Sequence, residues 1–167
     1  MDKELPYYLG FSHFLGIGPI KFAALVSHFK NVKKAYLADK KELQEIIGIT
    51  WAEKFNQFRN HFNPEEKLRE LKRKQIQTIP VGHELYPKSI ESISDPPICL
   101  YVKGEIKNFN FVKEFFIAIV GTRKPTPYGQ QIARKFAEEL TRAGFVIVSG
   151  MAIGIDTAAH KTCLAAE

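Results

Sequence analysis

Two short apolar runs, each followed by a turn that contains glycine, constrain the fold of this chain more than any other feature. Phe116–Val120 precedes Gly121, and Phe145–Val148 precedes a second glycine-bearing turn. From the spacing of apolar residues, helices are predicted over Tyr128–Ala143 and Ile155–Ala166. Continuous apolar runs are typical of parallel strands with both faces buried. This order of strands and helices predicts the beginning of a doubly wound parallel α/β sheet.

The first third of the chain has a different pattern, in which helices are joined by tight glycine turns. Leu15–Pro19 separates two amphipathic segments, and Gly48–Thr50 separates two more. The proline suits the first turn of a helix, where its missing N–H group is not needed. The pattern predicts a helical helix–hairpin–helix domain over residues 1–62.

Residues 63–104 link these two regions. A charged helix is predicted over Pro64–Lys74, and short strands over Thr78–Val81 and Ile98–Val102, with a proline-rich connector between the strands. Residues 105–167 then form the α/β domain. Because a sheet typically has about five or six strands, we expect this chain to hold only the N-terminal part of that domain.

Composition indicates the kind of partner and compartment. Lys and Arg total 24 against 18 Asp and Glu, a net charge of +6, which is compatible with a polyanion because clustered cations displace counterions from phosphates. Cys99 and Cys163 have no metal-ligand spacing, and free thiols fit a reducing cytoplasm. No apolar run reaches the roughly 20 residues that cross a bilayer, and no secretory signal precedes the first helix. The sequence therefore predicts a cytoplasmic protein with neither a membrane contact nor a metal.

The turn after the first apolar run predicts an anion-binding site. Gly121, Thr122, Arg123 and Lys124 place a flexible backbone, a hydroxyl and two cations beside the start of the next helix. Tyr128 is positioned to stack on a base. Open α/β sheets bind ligands at the carboxyl ends of their strands, although a solvated basic turn is the structural alternative. Neither a Gly-x-Gly-x-x-Gly motif nor a Walker A motif occurs, and no cofactor is predicted.

The turn after the second apolar run is predicted to lie alongside. Ser149 offers a hydroxyl, and Gly150 and Gly154 allow the backbone to bend around a phosphate. Asp156 is predicted to hold the loop as a hydrogen-bond acceptor rather than to act as a catalytic base. His160, one helical turn later, is predicted to pair with Asp156. Since no nucleophile is placed beside them, no catalytic residue is predicted.

The first glycine hairpin is a candidate for a secondary DNA contact. Gly16 and Gly18 would let the backbone approach a phosphate, and Lys21 would add attraction. The alternative is an ordinary turn that helps to fold a helical bundle.

Three short blocks of sequence are each weak signals alone, but their order and spacing together are specific. Tyr86–Gly104 contains Tyr-Pro, Asp-Pro-Pro and Leu-Tyr before Lys-Gly; Ile119–Arg123 is followed by Tyr128-Gly129; Ser149–Ala152 is followed by Gly154-Ile155-Asp156 and Ala159-His160. In this order they resemble the DprA/Smf family of DNA-processing proteins. The helical start is similar to the family's sterile-alpha-motif-like (SAM-like) domain, and the α/β part is similar to its Rossmann-like core.

The resemblance implies a cytoplasmic protein of natural transformation that is not an enzyme. Such a protein binds and protects incoming single-stranded DNA and helps to load the RecA recombinase. The resemblance also implies that Arg123 and the Gly121 backbone contact DNA phosphate. Family members form homodimers, and we expect the region that dimerises and meets RecA to lie beyond Glu167.

Two other classes remain open from the sequence. A LOG-type nucleotide-processing hydrolase shares related strand-turn glycines, but it relies on a Pro-Gly-Gly-x-Gly-Thr loop that these 167 residues do not contain. The Tyr-Pro to Asp-Pro-Pro connector also argues against that class. The third class is a helix–hairpin–helix DNA-binding module of a repair protein, in which the α/β half serves as scaffold.

Overall fold

A computed structural model describes residues 3–104, 111 and 113–166. The chain divides into two compact units, unit 1 (Met1–Phe109) and unit 2 (Asn110–Glu167). The domain boundary expected after residue 104 borders residues 105–110, which lie outside the described residues, as does Glu167. Residues 63–104, which the sequence sets apart as a linking segment, belong to unit 1 together with the helical residues that precede them.

The described part of unit 1 contains seven helices and two strands. In chain order they are α1 (Leu5–His13), α2 (Pro19–Phe29), α3 (Val32–Leu37), α4 (Lys40–Ile47), α5 (Ile49–His61), α6 (Pro64–Arg73), β1 (Ile76–Pro80), α7 (Lys88–Glu91) and β2 (Cys99–Lys103). Pro19 begins α2, as predicted. Asn63 caps α6 by accepting hydrogen bonds from the N–H groups of Glu65 and Glu66, which satisfies donors that the helix itself leaves free.

Aromatic side chains form the centre of unit 1. Phe11 is fully buried and stacks on Phe55, with their ring centroids 5.1 Å apart. Tyr36 meets both rings edge to face. These contacts join α1, α3 and α5, so the helical hairpins of the first third pack around one core.

Strands β1 and β2 pair antiparallel, with Thr78 opposite Tyr101. The predicted strand began at Thr78, whereas β1 begins two residues earlier, at Ile76. β2 begins one residue after the predicted start. Helices α1 and α6 pack against β1, which attaches this small sheet to the helical core.

Unit 2 contains, among its described residues, β3 (Phe115–Ala118), α8 (Pro127–Arg142), β4 (Phe145–Val148) and α9 (Ile155–Ala166). β3 and β4 pair in parallel, with Ile117 opposite Ile147. A helical crossover between parallel neighbours is the basic unit of a doubly wound sheet. The predicted order of strands and helices is therefore confirmed.

The expected burial of both strands is wrong for the described residues. The first strand is Phe115–Ala118 rather than the predicted Phe116–Val120. Within the predicted ranges, Phe116 is 42% exposed and Val148 is 48% exposed. A parallel strand is buried on both faces only when helices cover both faces of its sheet, and here α8 and α9 pack on each other and on β4. The buried apolar residues of the two helices are small: they are Ala133 and Ala137 of α8 and Ala158 and Ala159 of α9. None of the described helices is long and apolar enough to span a membrane.

Candidate nucleic-acid interface

Two loops follow the strands of unit 2 and meet at the carboxyl end of the sheet. We call residues 119–126 the first loop and residues 149–154 the second loop. The N–H group of Ile155 donates to the carbonyl oxygen of Thr122 at 3.2 Å. The Ser149 hydroxyl donates to the carbonyl oxygen of Ile119 at 2.7 Å. The structure thus brings together the two turns that were predicted from the sequence to lie side by side.

Glycine is required where the loops touch. Gly154 has a φ of +97°, and a Cβ there would overlap the Thr122 carbonyl oxygen and lie 2.8 Å from the Arg123 Cα. A Cβ on Gly121 would lie 2.8 Å from Ile155 Cγ1. Backbone atoms cannot yield as the end of a flexible side chain can, so the loop-to-loop distance depends on the absence of a side chain at residue 154.

Asp156 holds both loops from inside the unit. Its buried carboxylate accepts hydrogen bonds from the N–H groups of Gly150 at 3.1 Å and Ala152 at 3.4 Å. Burial raises the pKa of this carboxyl, but hydrogen bonds from the backbone N–H groups of Ala152, Gly121 and Gly150 together lower it below its ordinary value. The ionised carboxylate therefore connects the second loop to the beginning of the first.

The outer side of the first loop carries free positive charge. Arg123 and Lys124 are exposed, and no ion pair or hydrogen bond of the Arg123 guanidinium occurs among the described residues. The Thr122 hydroxyl accepts a hydrogen bond from the Lys124 N–H group at 3.1 Å, which bends the loop. Tyr128, in the first turn of α8, is 73% exposed. The predicted cations and the aromatic ring are thus accessible to a ligand.

Helix α8 begins directly beside these cations. Thr126 caps it by accepting a hydrogen bond from the Gly129 N–H group at 3.1 Å. The N-terminal end of a helix carries a partial positive charge, about half an elementary charge. The helix dipole and the two cations therefore favour the same kind of ligand, an anion.

The Asp156–His160 pair predicted from the sequence does not form. The described partners of the Asp156 carboxylate precede it in the chain, because the carboxylate is directed back toward the second loop. His160 Nε2 is buried and has no hydrogen-bond partner among the described residues. The two residues are one helical turn apart and were therefore expected on one face of α9. The carboxylate instead accepts hydrogen bonds from the backbone N–H groups of Gly150 and Ala152.

The glycine hairpin of unit 1, which was the candidate for a secondary DNA contact, makes its contacts within that unit. A Cβ on Gly16 would overlap the Trp51 ring, so this glycine makes room for the tryptophan. The Lys21 ammonium group lies 4.0 Å from the centroid of that ring and donates to the Gly16 carbonyl oxygen at 3.3 Å. Gly18 has open space around it. These contacts favour the alternative of a hairpin that stabilises the helical bundle.

One feature of unit 2 was not found from the sequence. Gln130, Arg134, Glu138 and Arg142 recur every four residues along α8 and line a groove beside α9. Four-residue spacing puts side chains on one helical face. That spacing was visible in the sequence, but it gains meaning only when the neighbouring helix is known.

The chain is similar in sequence to known DNA-processing proteins. The family model described as DNA recombination-mediator protein A matches residues 77–167. Protein Smf of Synechocystis is 35% identical over 98% of this chain, which covers 42% of that protein. The chain therefore spans less than half the length of this curated relative.

Two solved structures are similar. DNA processing protein A from Streptococcus pneumoniae matches 96% of this chain and 53% of its own, with 24% identity and a TM-score of 0.67. This likeness confirms the predicted fold class, a helical N-terminal part followed by a parallel α/β sheet. DNA processing protein A from Helicobacter pylori, which binds single-stranded DNA, is 40% identical over 54% of this chain and 39% of its own, with a TM-score of 0.47.

Proposed function

We infer that this chain, which belongs to the DNA recombination-mediator protein A family, binds single-stranded DNA through the joined loops of unit 2. The observation that carries this proposal is the exposed Arg123 guanidinium, free of ion pairs among the described residues, on a loop fixed by Gly154. A cation that is fixed in place and not already neutralised binds phosphate favourably, because it need not give up another partner.

The exposed side chains around Arg123 favour a single strand over a duplex. Tyr128 is 73% exposed, and Met151 and Ile153 on the second loop are 83% and 70% exposed. Unpaired bases stack on aromatic rings and pack on apolar groups, whereas the bases of a duplex are already stacked on one another. We propose that Arg123 and Lys124 bind phosphates while Tyr128 receives a base.

The polar candidates of the second loop are proposed to support the contact rather than to make it. The Ser149 hydroxyl and the Gly150 N–H group already have partners within the unit, and Gly154 is covered by the Thr122 carbonyl oxygen. The Gly121 backbone is likewise hydrogen-bonded to Asp156. Of the candidates, Thr122, Arg123, Lys124 and Tyr128 therefore remain for direct contact.

We propose that this site binds its ligand without chemical change. The Asp156 carboxylate, which could otherwise serve as a base, is occupied by backbone N–H groups. Nucleoside monophosphates incubated with the chain should therefore release no free base, whereas release would favour the hydrolase alternative.

The wider role is proposed for the whole protein through its family. It comprises protection of incoming DNA during transformation, loading of RecA, homodimer formation and a cytoplasmic location. The free thiols of Cys99 and Cys163 are in keeping with a reducing compartment. Protection is measured by the survival of a labelled oligonucleotide exposed to a single-strand nuclease, with and without the chain.

Arg123→Ala tests the DNA proposal. Affinity for oligo-thymidylate should fall, and the slope of log K against log salt should become shallower by about 0.7, the value for one phosphate contact on a single strand. The matched control is Lys135→Ala, which removes an exposed cation of α8 that is paired with Glu139 at 3.9 Å. If the salt slope of Arg123→Ala equals that of the unaltered chain, Arg123 does not contact the DNA.

A further inference from the structure

A groove of about 500 Å³ runs between α8 and α9 in unit 2. Gln130, Arg134, Glu138 and Arg142 line its α8 side, and Lys161 lies on its α9 side. The walls of this groove take no part in the contact that we propose between the loops and DNA. Its floor includes Ala158, and the buried alanines let the two helices approach closely while longer side chains form its walls.

The charge in this groove is positive and only partly neutralised. Three cations face one carboxylate, and that carboxylate, Glu138, is paired with Arg142 at 2.6 Å. In the part of the chain that the structure describes, the Arg134 guanidinium makes only one long hydrogen bond, to the Gln130 side chain at 3.5 Å. No ion pair of Lys161 occurs among the described residues. Arg134 and Lys161 therefore present unneutralised charge from opposite walls.

The groove begins where the two loops meet. Gly154 lines it, and the same residue lies against the Thr122 carbonyl oxygen and the Arg123 Cα. A chain of phosphates that leaves Arg123 past Gly154 therefore enters the groove directly. Thr157, also a lining residue, donates its hydroxyl proton to the Ala152 carbonyl oxygen, which attaches the start of α9 to the second loop.

The length of the groove suits several nucleotides. From Gln130 to Arg142 a helix rises about 18 Å, at 1.5 Å per residue. The phosphates of a strand in B-form DNA advance about 3.4 Å per nucleotide along the helix axis, and an extended single strand advances farther, so at most about five nucleotides would fit along that distance. Proteins that bind single strands without sequence preference commonly use such a positively charged track along the backbone.

We propose that the groove between α8 and α9 is a second binding segment for the sugar–phosphate backbone, entered from the Arg123 loop. This inference rests on the proposed function, since it concerns the continuation of the same strand. Arg134 and Lys161 bind phosphates in it. Glu138 opposes the strand and weakens binding.

The test compares a short and a long oligo-thymidylate, of about 4 and about 16 nucleotides, the limits common for single-strand sites. The double variant Arg134→Ala with Lys161→Ala should bind the long oligonucleotide less tightly, with a salt slope shallower by about 1.4 for two lost phosphate contacts. The short oligonucleotide, which fills only the loop site, should be bound as before. Glu138→Gln should bind the long oligonucleotide more tightly, and Lys135→Ala, outside the groove, provides the control.

Each other result has a defined meaning. Unchanged affinity for the long oligonucleotide in the double variant overturns the groove proposal, and so does an equal loss for both lengths, which would mean that the loops had been disturbed. Polyglutamate, measured in parallel as an acidic polypeptide, is the alternative ligand: if the double variant loses affinity for polyglutamate but retains its affinity for both oligonucleotides, the groove proposal is overturned in favour of an acidic protein partner. Failure of the loop site is seen separately, because Arg123→Ala would then change neither length while the groove variants still weakened the long one.

Discussion

Replacement of Gly154 by alanine should destabilise unit 2 for two separable reasons. The first is the backbone conformation: at a φ of +97°, a residue with a Cβ costs about 1–2 kcal/mol relative to glycine. The second is steric, because the new Cβ would overlap the Thr122 carbonyl oxygen and lie 2.8 Å from the Arg123 Cα. Overpacking of this kind costs about 1–3 kcal/mol. The expected total is about 2–5 kcal/mol.

Gly144 provides a matched control in the same unit. It also has a positive φ, +85°, but a Cβ there would have no atom within 4 Å. Gly144→Ala should therefore show the conformational cost alone, about 1–2 kcal/mol. The difference between the two variants isolates the contact between the loops.

Amide hydrogen exchange measures both variants locally. The informative amides are those of Ile119, which donates to the Val148 carbonyl oxygen, and Ile155, which donates to that of Thr122. Gly144→Ala should accelerate their exchange by about 5–30-fold, the equivalent of 1–2 kcal/mol, and Gly154→Ala should do so by clearly more. Equal acceleration in the two variants would refute the close approach of the loops.

Two further predictions concern unit 1. Gly16→Ala should destabilise it by about 1–3 kcal/mol and shift the fluorescence of Trp51, the only tryptophan in the chain, because the new Cβ would overlap that ring. Gly18→Ala, with open space around it, should leave the fluorescence of Trp51 unchanged, although it removes the N-cap glycine of α2; an equal fluorescence shift in both variants would contradict the contact. Burial raises the pKa of the Cys99 thiol to about 12. Between about pH 9 and pH 12 only the unfolded state loses this proton, so the free energy of unfolding should fall as the pH rises. Urea titrations should show a smaller fall in Cys99→Ala, and an identical fall would exclude Cys99 as the cause.

The sequence predicted local features well where one short segment determines them. The helix predicted over Tyr128–Ala143 is observed as Pro127–Arg142, one residue earlier at each end. Helix α3 was missed, since its six residues are too few to show a clear periodicity. The partial exposure of Phe116 was also not predicted, because burial depends on what covers a strand as well as on its own residues.

In the candidate site, too, local features were predicted from the sequence, whereas contacts between distant segments were not. The sequence identified both loops, because glycine and cations after apolar strands have a direct physical meaning. The contributions to Asp156 from Gly121, far away in the chain, depend on the pairing of β3 with β4. The predicted pair of Asp156 with His160 was wrong for the same reason. Spacing along the sequence does not show whether backbone N–H groups or the His160 ring lie nearer to the carboxylate.

The buried Asp156 carboxylate orders the second loop from within the unit, so no ligand is needed to hold its N–H groups in place. Loops that are already hydrogen-bonded in this way need little reorganisation when a ligand arrives, so little ordering entropy opposes association. Their shape is equally independent of the ligand when it departs. Release of a ligand from such a prepared surface therefore requires neither unfolding nor opening of the loops.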